Sequence, residues 1–284
     1  MDAFSQKCQK GQAALIALLV LTIATTVGLS LIGRSTTDLS ITRNLEESAR
    51  AFSAAEAGVE NALRTGVATT VPLDQSTGTT YNVTVASVSA NANTSLVLPS
   101  KTLPETTETI WLTNHKGDGS IDDTVPLYTA SSIDVCWSAE TVTPALIASL
   151  LYKYRDGSYR VAKGAYDPDN TRASTDKFSA PTAISGGCGN STNTTYKQTI
   201  TFASFTPAID PTQDVLIALR LRLAYSGGQL AVNPAQALPF QGNQIVSVGK
   251  TAGGTNRKIV VYQEYKSPSS LFDAAIFSQG SFSH

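Results

Sequence analysis

From Ala13 to Ile32 the chain runs for about twenty residues without a charge, close to the ~30 Å that a helix must cover to cross a bilayer. More than half of these residues are Leu, Ile or Val, each contributing roughly −0.3 to −0.6 kcal/mol at the centre of an inserted helix. Thr22, Thr25, Thr26, Ser30 and Gly28 reduce that total. Their hydroxyls have an outlet, because a helical Thr or Ser bonds back to the carbonyl one turn earlier. Lys7 and Lys10 precede the run, so the positive-inside rule keeps the N-terminus in the cytoplasm and sends the remainder out. Arg34 beyond the run is a mild counter-signal, with Asp38 nearby to balance it. A cleavable secretion signal has a shorter apolar core, about 7 to 15 residues, closed by a small-residue cleavage site. This run is longer and no clear A-x-A site closes it, so an anchor that is kept is the better reading.

The helix does not stop at the membrane edge. "DLSITRNLEESARAFSAAEAGVENALR", residues 38 to 64, has no proline and one glycine, Gly58. Every third and fourth residue gives an apolar-to-small stripe of Ile41, Leu45, Ser48, Phe52, Ala55, Val59 and Ala62. Charges take the other faces, with Glu46 four residues before Arg50 and Glu60 four before Arg64, the stabilising order. Residues 12 to 64 therefore read as one helix about 80 Å long. Residues 13–32 are its transmembrane half, and the rest is amphipathic. Such a rod suits a subunit that packs its first half among like helices and its second half against its own globular domain.

Residues 65–284 read differently. They are rich in Thr, Ser, Asn, Val and Gly with regular turn signals, which favours strands. "TYNVTVASV" alternates Tyr81, Val83 and Val85 with polar neighbours, and "SSIDVCWSA" puts Ile133, Val135 and Trp137 on one face. "SLLYKYRDGSYRVAKGAY" is a hairpin in which Asp156-Gly157 supplies positive φ angles. "DVLIALRLRLAYS" turns Val215, Ile217, Leu219, Leu221 and Leu223 inward and Arg220 and Arg222 outward. "KQTITFASF", "NQIVSVG" and "NRKIVVYQEY" are further strands, and "TDKFSAPTAISGGCGNSTNTTYK" is a long surface loop. The expected fold is α+β: a long N-terminal helix packed on an antiparallel β-sheet or β-sandwich domain. A net charge of −1 gives no electrostatic reason to expect nucleic acid. Two histidines, His115 and His284, leave almost nothing for a His-based metal site or triad, and no cofactor is called for.

"KGQAALIALLVLTI", residues 10 to 23, resembles the class III signal of type IV pilins: a short charged leader, a glycine, then an apolar helix. The following "RSTTDLSITRNLEESARAFSAAEAGVENAL" is similar to PilX-type minor pilins, and "RKIVVYQEYKSPSSLFDAAIFSQGSF" is similar to the endings of large pilin-like proteins. The resemblance implies a leader over 1–11, cut between Gly11 and Gln12 by a membrane-bound prepilin peptidase, with Gln12 then N-methylated. It implies as partners other pilin subunits, held through the N-terminal helix, and the inner-membrane assembly platform. Most major pilins carry a glutamate at the fifth position after the cut, where this chain has Ile16. That departure points to a minor or priming subunit, or to the tip pseudopilin of a type II secretion system. In assembled pili part of this helix often loses helical structure, and Gly28 and Gly33 are the natural place for it here; close approach of a neighbouring helix accounts for them equally.

Cys8 would leave with the leader, which leaves Cys136 and Cys188 as a matched pair in an oxidising compartment. If bonded they close a loop worth on the order of 3 to 4 kcal/mol; the alternative is two unrelated thiols. "NHKGDGSIDDT", residues 114 to 124, has Asp118 and Asp122 at calcium-loop offsets. Lys116 takes a ligand position there and Val125 stands where the bidentate glutamate belongs, so the competing reading is a solvated Asp-Gly turn. In "YDPDN", Asp167 and Asp169 read most simply as turn formers. No G-x-S-x-G, H-E-x-x-H or phosphate loop occurs. A hydrolase would have to gather Asp118, Asp122 and Asp167 in space. A membrane-anchored β-sandwich for adhesion or carbohydrate binding is the reading that needs no filament.

Overall fold

The computed structural model describes residues 10–74 and 76–270. The chain divides into two compact units, residues 1–84 with 246–260 and residues 85–245 with 261–284.

In the first unit, α1 runs unbroken from Lys10 to Thr65, 56 residues or about 84 Å at 1.5 Å per residue. It packs on a four-stranded sheet of β1 (Thr69–Asp74), β2 (Thr79–Val88), β11 (Gly242–Lys250) and β12 (Asn256–Glu264), in that order. The covered face of the helix keeps Ala55, Val59 and Ala62 of the expected stripe and departs from the rest of it. Ala51, Ala54, Ala55, Gly58, Val59 and Ala62 are buried, at i, i+3, i+4, i+7, i+8 and i+11. Ile41, Leu45 and Phe52 are exposed, by 53%, 66% and 48%. Distance of approach explains the difference. A Cβ on Gly249 of β11 would lie 1.9 Å from the Ala51 carbonyl oxygen, and one on Gly58 would lie 2.3 Å from Ser247 Oγ. Helix and sheet backbones nearly touch, so the contact face is written in Ala and Gly, and the large apolar residues are left outside. Arg257 of β12 closes the edge by donating to Ser48 Oγ.

The second unit is a sandwich. One sheet orders β3 (Leu96–Val97), β10 (Leu230–Pro234), β5 (Ser132–Trp137) and β8 (Tyr196–Thr201). The other orders β4 (Thr107–Trp111), β9 (Val215–Ala224), β6 (Ala145–Lys153) and β7 (Tyr159–Tyr166). Ile133, Val135 and Trp137 face inward as their alternation predicts, meeting Leu146, Leu150 and Tyr152 of β6 and Leu219, Leu221 and Leu223 of β9 in one core. Trp137 Nε1 donates to the Pro144 carbonyl at 2.9 Å, which satisfies its buried N–H.

Three details depart from the sequence reading. In the β6–β9 pairing the register shifts, with Ala218 opposite Leu151 and Leu216 opposite Tyr152. This bulge reverses the alternation, so Leu216 enters the main core while Ile217 packs with Trp111 and Ala218 on the other face; Val215, also expected inward, is buried outside that core. Arg220 does face outward, yet it is buried, donating to the Ser269 carbonyl at 3.2 Å. At the β6–β7 turn only Gly157 takes a positive φ, 85°, and Asp156 does not. The Gly157 N–H donates to the Tyr154 carbonyl at 2.7 Å, closing a turn that needs one left-handed residue. The hairpin is then pinned by Arg155, whose backbone and guanidinium N–H groups reach the fully buried Asp214 carboxylate at 2.8 to 3.2 Å.

The disulfide joins Cys136 on β5 to Cys188, with 5.7 Å between the Cα atoms and 52 residues along the chain. Together with the antiparallel bridge of Ala183 to Lys197 it ties the long loop down beside β8.

Gly249→Ala forces backbone apart at the helix contact and should destabilise the first unit by about 1 to 3 kcal/mol, the usual cost of overpacking. Urea unfolding, followed by limited proteolysis after Arg50 and Arg64, reads it; an unchanged midpoint would refute the close approach. Cys188→Ala should cost about 4 kcal/mol, from chain entropy over the loop, as a lowered denaturation midpoint matched by wild-type protein under reductant.

Candidate functional site: the N-terminal helix

No described residue of the 18-residue window that passes for a membrane span is buried in its own chain, and the window's mean hydropathy is 2.5. Leu15, Ile16, Leu18, Leu19, Leu21 and Ile23 are each more than half exposed. Apolar surface of this extent is unstable in water and needs either lipid or other helices around it. The polar groups inside the run are satisfied locally. Thr22 Oγ1 donates to the Leu19 carbonyl at 2.8 Å, Thr25 to Leu21 and Thr22 at 2.9 Å, and Thr26 to Ile23 at 2.9 Å. The run therefore presents methyl groups outward and hides its hydroxyls, which lowers the cost of placing it in hydrocarbon.

Gly11 and Gln12 lie in the first turn of α1, and the proposed leader before Lys10 falls outside the described residues. Ile16 is 59% exposed. Gly28 and Gly33 have nothing within 4 Å of a built Cβ, and α1 is continuous through both. Open space beside the two glycines leaves room for a close neighbour. Past Ile32 the charges Arg34, Asp38, Arg43, Glu46 and Glu47 mark where the helix leaves the apolar phase.

The singled-out carboxylates are each engaged locally. Asp118 Oδ1 accepts from the Ser120 N–H at 2.9 Å and its hydroxyl at 2.7 Å, and those bonds lower its pKa. Asp122 Oδ1 accepts from Thr124 Oγ1 at 2.7 Å. Each carboxylate is spent on its own turn. Asp167 is buried, accepting from Arg172 Nη2 at 2.7 Å and Nε at 2.9 Å while Arg172 also donates to the Thr143 carbonyl. That makes Asp167 a loop-locking ion pair, more than a turn former. Among the described residues no three His, Cys, Asp or Glu side chains gather as a metal site would require.

What the sequence reading missed is the packing set Ala51, Ala54 and Gly58, which joins Ala55, Val59 and Ala62 of the expected stripe. Its signal was present in the "AFSAAEAG" segment as small residues at helical spacing, masked by the larger Ile41, Leu45 and Phe52.

Residues 10–60 match the family model described as PilX N-terminal. No curated protein and no solved structure was found to match the chain. The match lies wholly within α1 and covers its uncharged run and its small-residue face from Ala51 to Val59. Over residues 10–60, then, this chain is similar to the N-terminal region of the PilX-type minor pilins of type IV pili.

Proposed function

We propose that the protein is a minor pilin of a type IV pilus-type filament, made as a membrane-anchored precursor with its N-terminus in the cytoplasm. Prepilin peptidase cuts it between Gly11 and Gln12 and methylates Gln12, so the chain is the substrate of processing and not the enzyme. The assembly platform then draws it into a filament, where α1 packs among the helices of other pilin subunits. The observation that carries this reading is the exposed apolar half of α1, continuous with a second half that is locked to a folded sheet. A plain anchor needs the first half alone. The rigid continuation lets a pull on the helix move the folded unit with it.

Ile16 favours a minor or priming position over a shaft position. A glutamate there would have to be buried against a neighbour's N-terminus, and isoleucine removes both that contact and its desolvation cost. The same residue supports a second reading, the tip subunit of a type II secretion pseudopilus. Both readings share processing and assembly, and they differ in the filament that is built.

Mass spectrometry of the protein from its own cells tests the pathway. The expected mature start is an N-methylated Gln12. An intact Met1 start would contradict processing and leave a single-pass anchor bearing an extracellular adhesion or carbohydrate-binding sandwich.

A further inference from the structure

In the second unit, an open cleft of about 60 Å³ lies between β3 and β4 and the ends of β11 and β12 that belong to that unit. Its walls are apolar. Val97, Pro99 and Tyr262 line it, and Ile110 lines its buried base. Val97 and Tyr262 are 39% and 41% exposed, so both leave apolar surface open in the cleft. The Tyr262 ring is fixed as a wall, because its hydroxyl accepts from Gln244 Nε2 at 2.5 Å.

Two carboxylates, Glu108 and Glu264, enter the same cleft. Thr102, itself buried, donates to Glu108 Oε1 at 3.3 Å and holds that side chain in place. Burial, and after it the charge of Glu264, raises the Glu108 pKa above the ordinary carboxylate value. Among the described residues no Lys, Arg or His forms an ion pair with either carboxylate. Two like charges thus share a half-buried groove without a cation, which costs free energy until a cation enters.

We propose that this cleft receives a lysine side chain from another protein chain, with its four-carbon stem between Val97, Pro99 and Tyr262 and its ammonium between Glu108 and Glu264. The walls decide the first half of that assignment. A bare cation has no use for apolar walls, and among the described residues the cleft brings no third His, Cys, Asp or Glu to complete a coordination shell. A lysine stem does use them, because it buries its methylenes while the head seeks charge. The carboxylates decide the second half. A planar guanidinium is matched by one carboxylate, fork to fork, whereas two carboxylates on separate strands suit a compact ammonium with three rotatable donors. The inference stands apart from the processing of the N-terminus, and its test does not depend on a filament.

The test is titration of full-length protein in detergent micelles with acetyl-Gly-Lys-Gly-amide and with the same peptide acetylated on the lysine Nζ. The lysine peptide is expected to bind saturably, and acetylation to weaken it at least ten-fold. Glu264→Gln, on an exposed strand end, should weaken the lysine peptide to a similar extent, and Glu108→Gln should do the same without lowering the melting temperature. Equal binding of the acetylated peptide, unchanged affinity in Glu264→Gln, or no saturable binding of the lysine peptide would each overturn the proposal.

Discussion

The backbone of α1 comes so near to β11 that nothing larger than hydrogen fits on Gly249. That contact fixes much of the rest of the first unit. It sets the rotation of the helix, so that Ala51, Ala54, Ala55, Gly58, Val59 and Ala62 are the buried positions and every larger apolar residue of the second half points away. It also makes the helix and the sheet one mechanical piece. Dispersion falls off steeply with distance, so a close backbone contact through small residues gathers many weak attractions where bulkier side chains would hold the surfaces apart.

The two halves of α1 solve opposite problems with one geometry. Residues 14 to 32 have no cover of their own, and their threonines turn their hydroxyls back to the helix. Residues 51 to 62 are covered so tightly that their own side chains contribute little area. Between them Ile41 and Leu45 remain exposed on a helix that is already outside the apolar run. The second unit follows another logic. Its core is an ordinary sandwich interior, reinforced at one margin by the Cys136–Cys188 bond and at another by the buried Asp214 carboxylate.

Much of this was legible in the sequence because the signals were local. The uncharged run gave the span, the absence of proline gave the continuous helix, and alternation placed Ile133, Val135 and Trp137 in the core. What was not legible depended on partners far away in the chain. The size-weighted stripe chose Ile41, Leu45 and Phe52, since a sequence does not reveal how near the sheet will come. The inward assignment on β9 failed at Val215 and Ile217, because the bulge opposite Leu151 is a property of a strand pair, not of a strand. Short strands such as β3 and β10 carry too few residues for a period to show. Glu108 and Glu264 share a cleft although more than 150 residues separate them, and nothing near either one announces the other.

α1 is one rigid rod, free along its first half and locked to the sheet from Ala51 to Ala62. Hydrogen–deuterium exchange on the full-length protein in nanodiscs tests this most directly. The amides of residues 51–62 should exchange only through unfolding of the first unit, while those of residues 38–46, helical but uncovered, exchange orders of magnitude faster. Equal, fast exchange over both segments would show that the helix is not held by the sheet and would contradict the account.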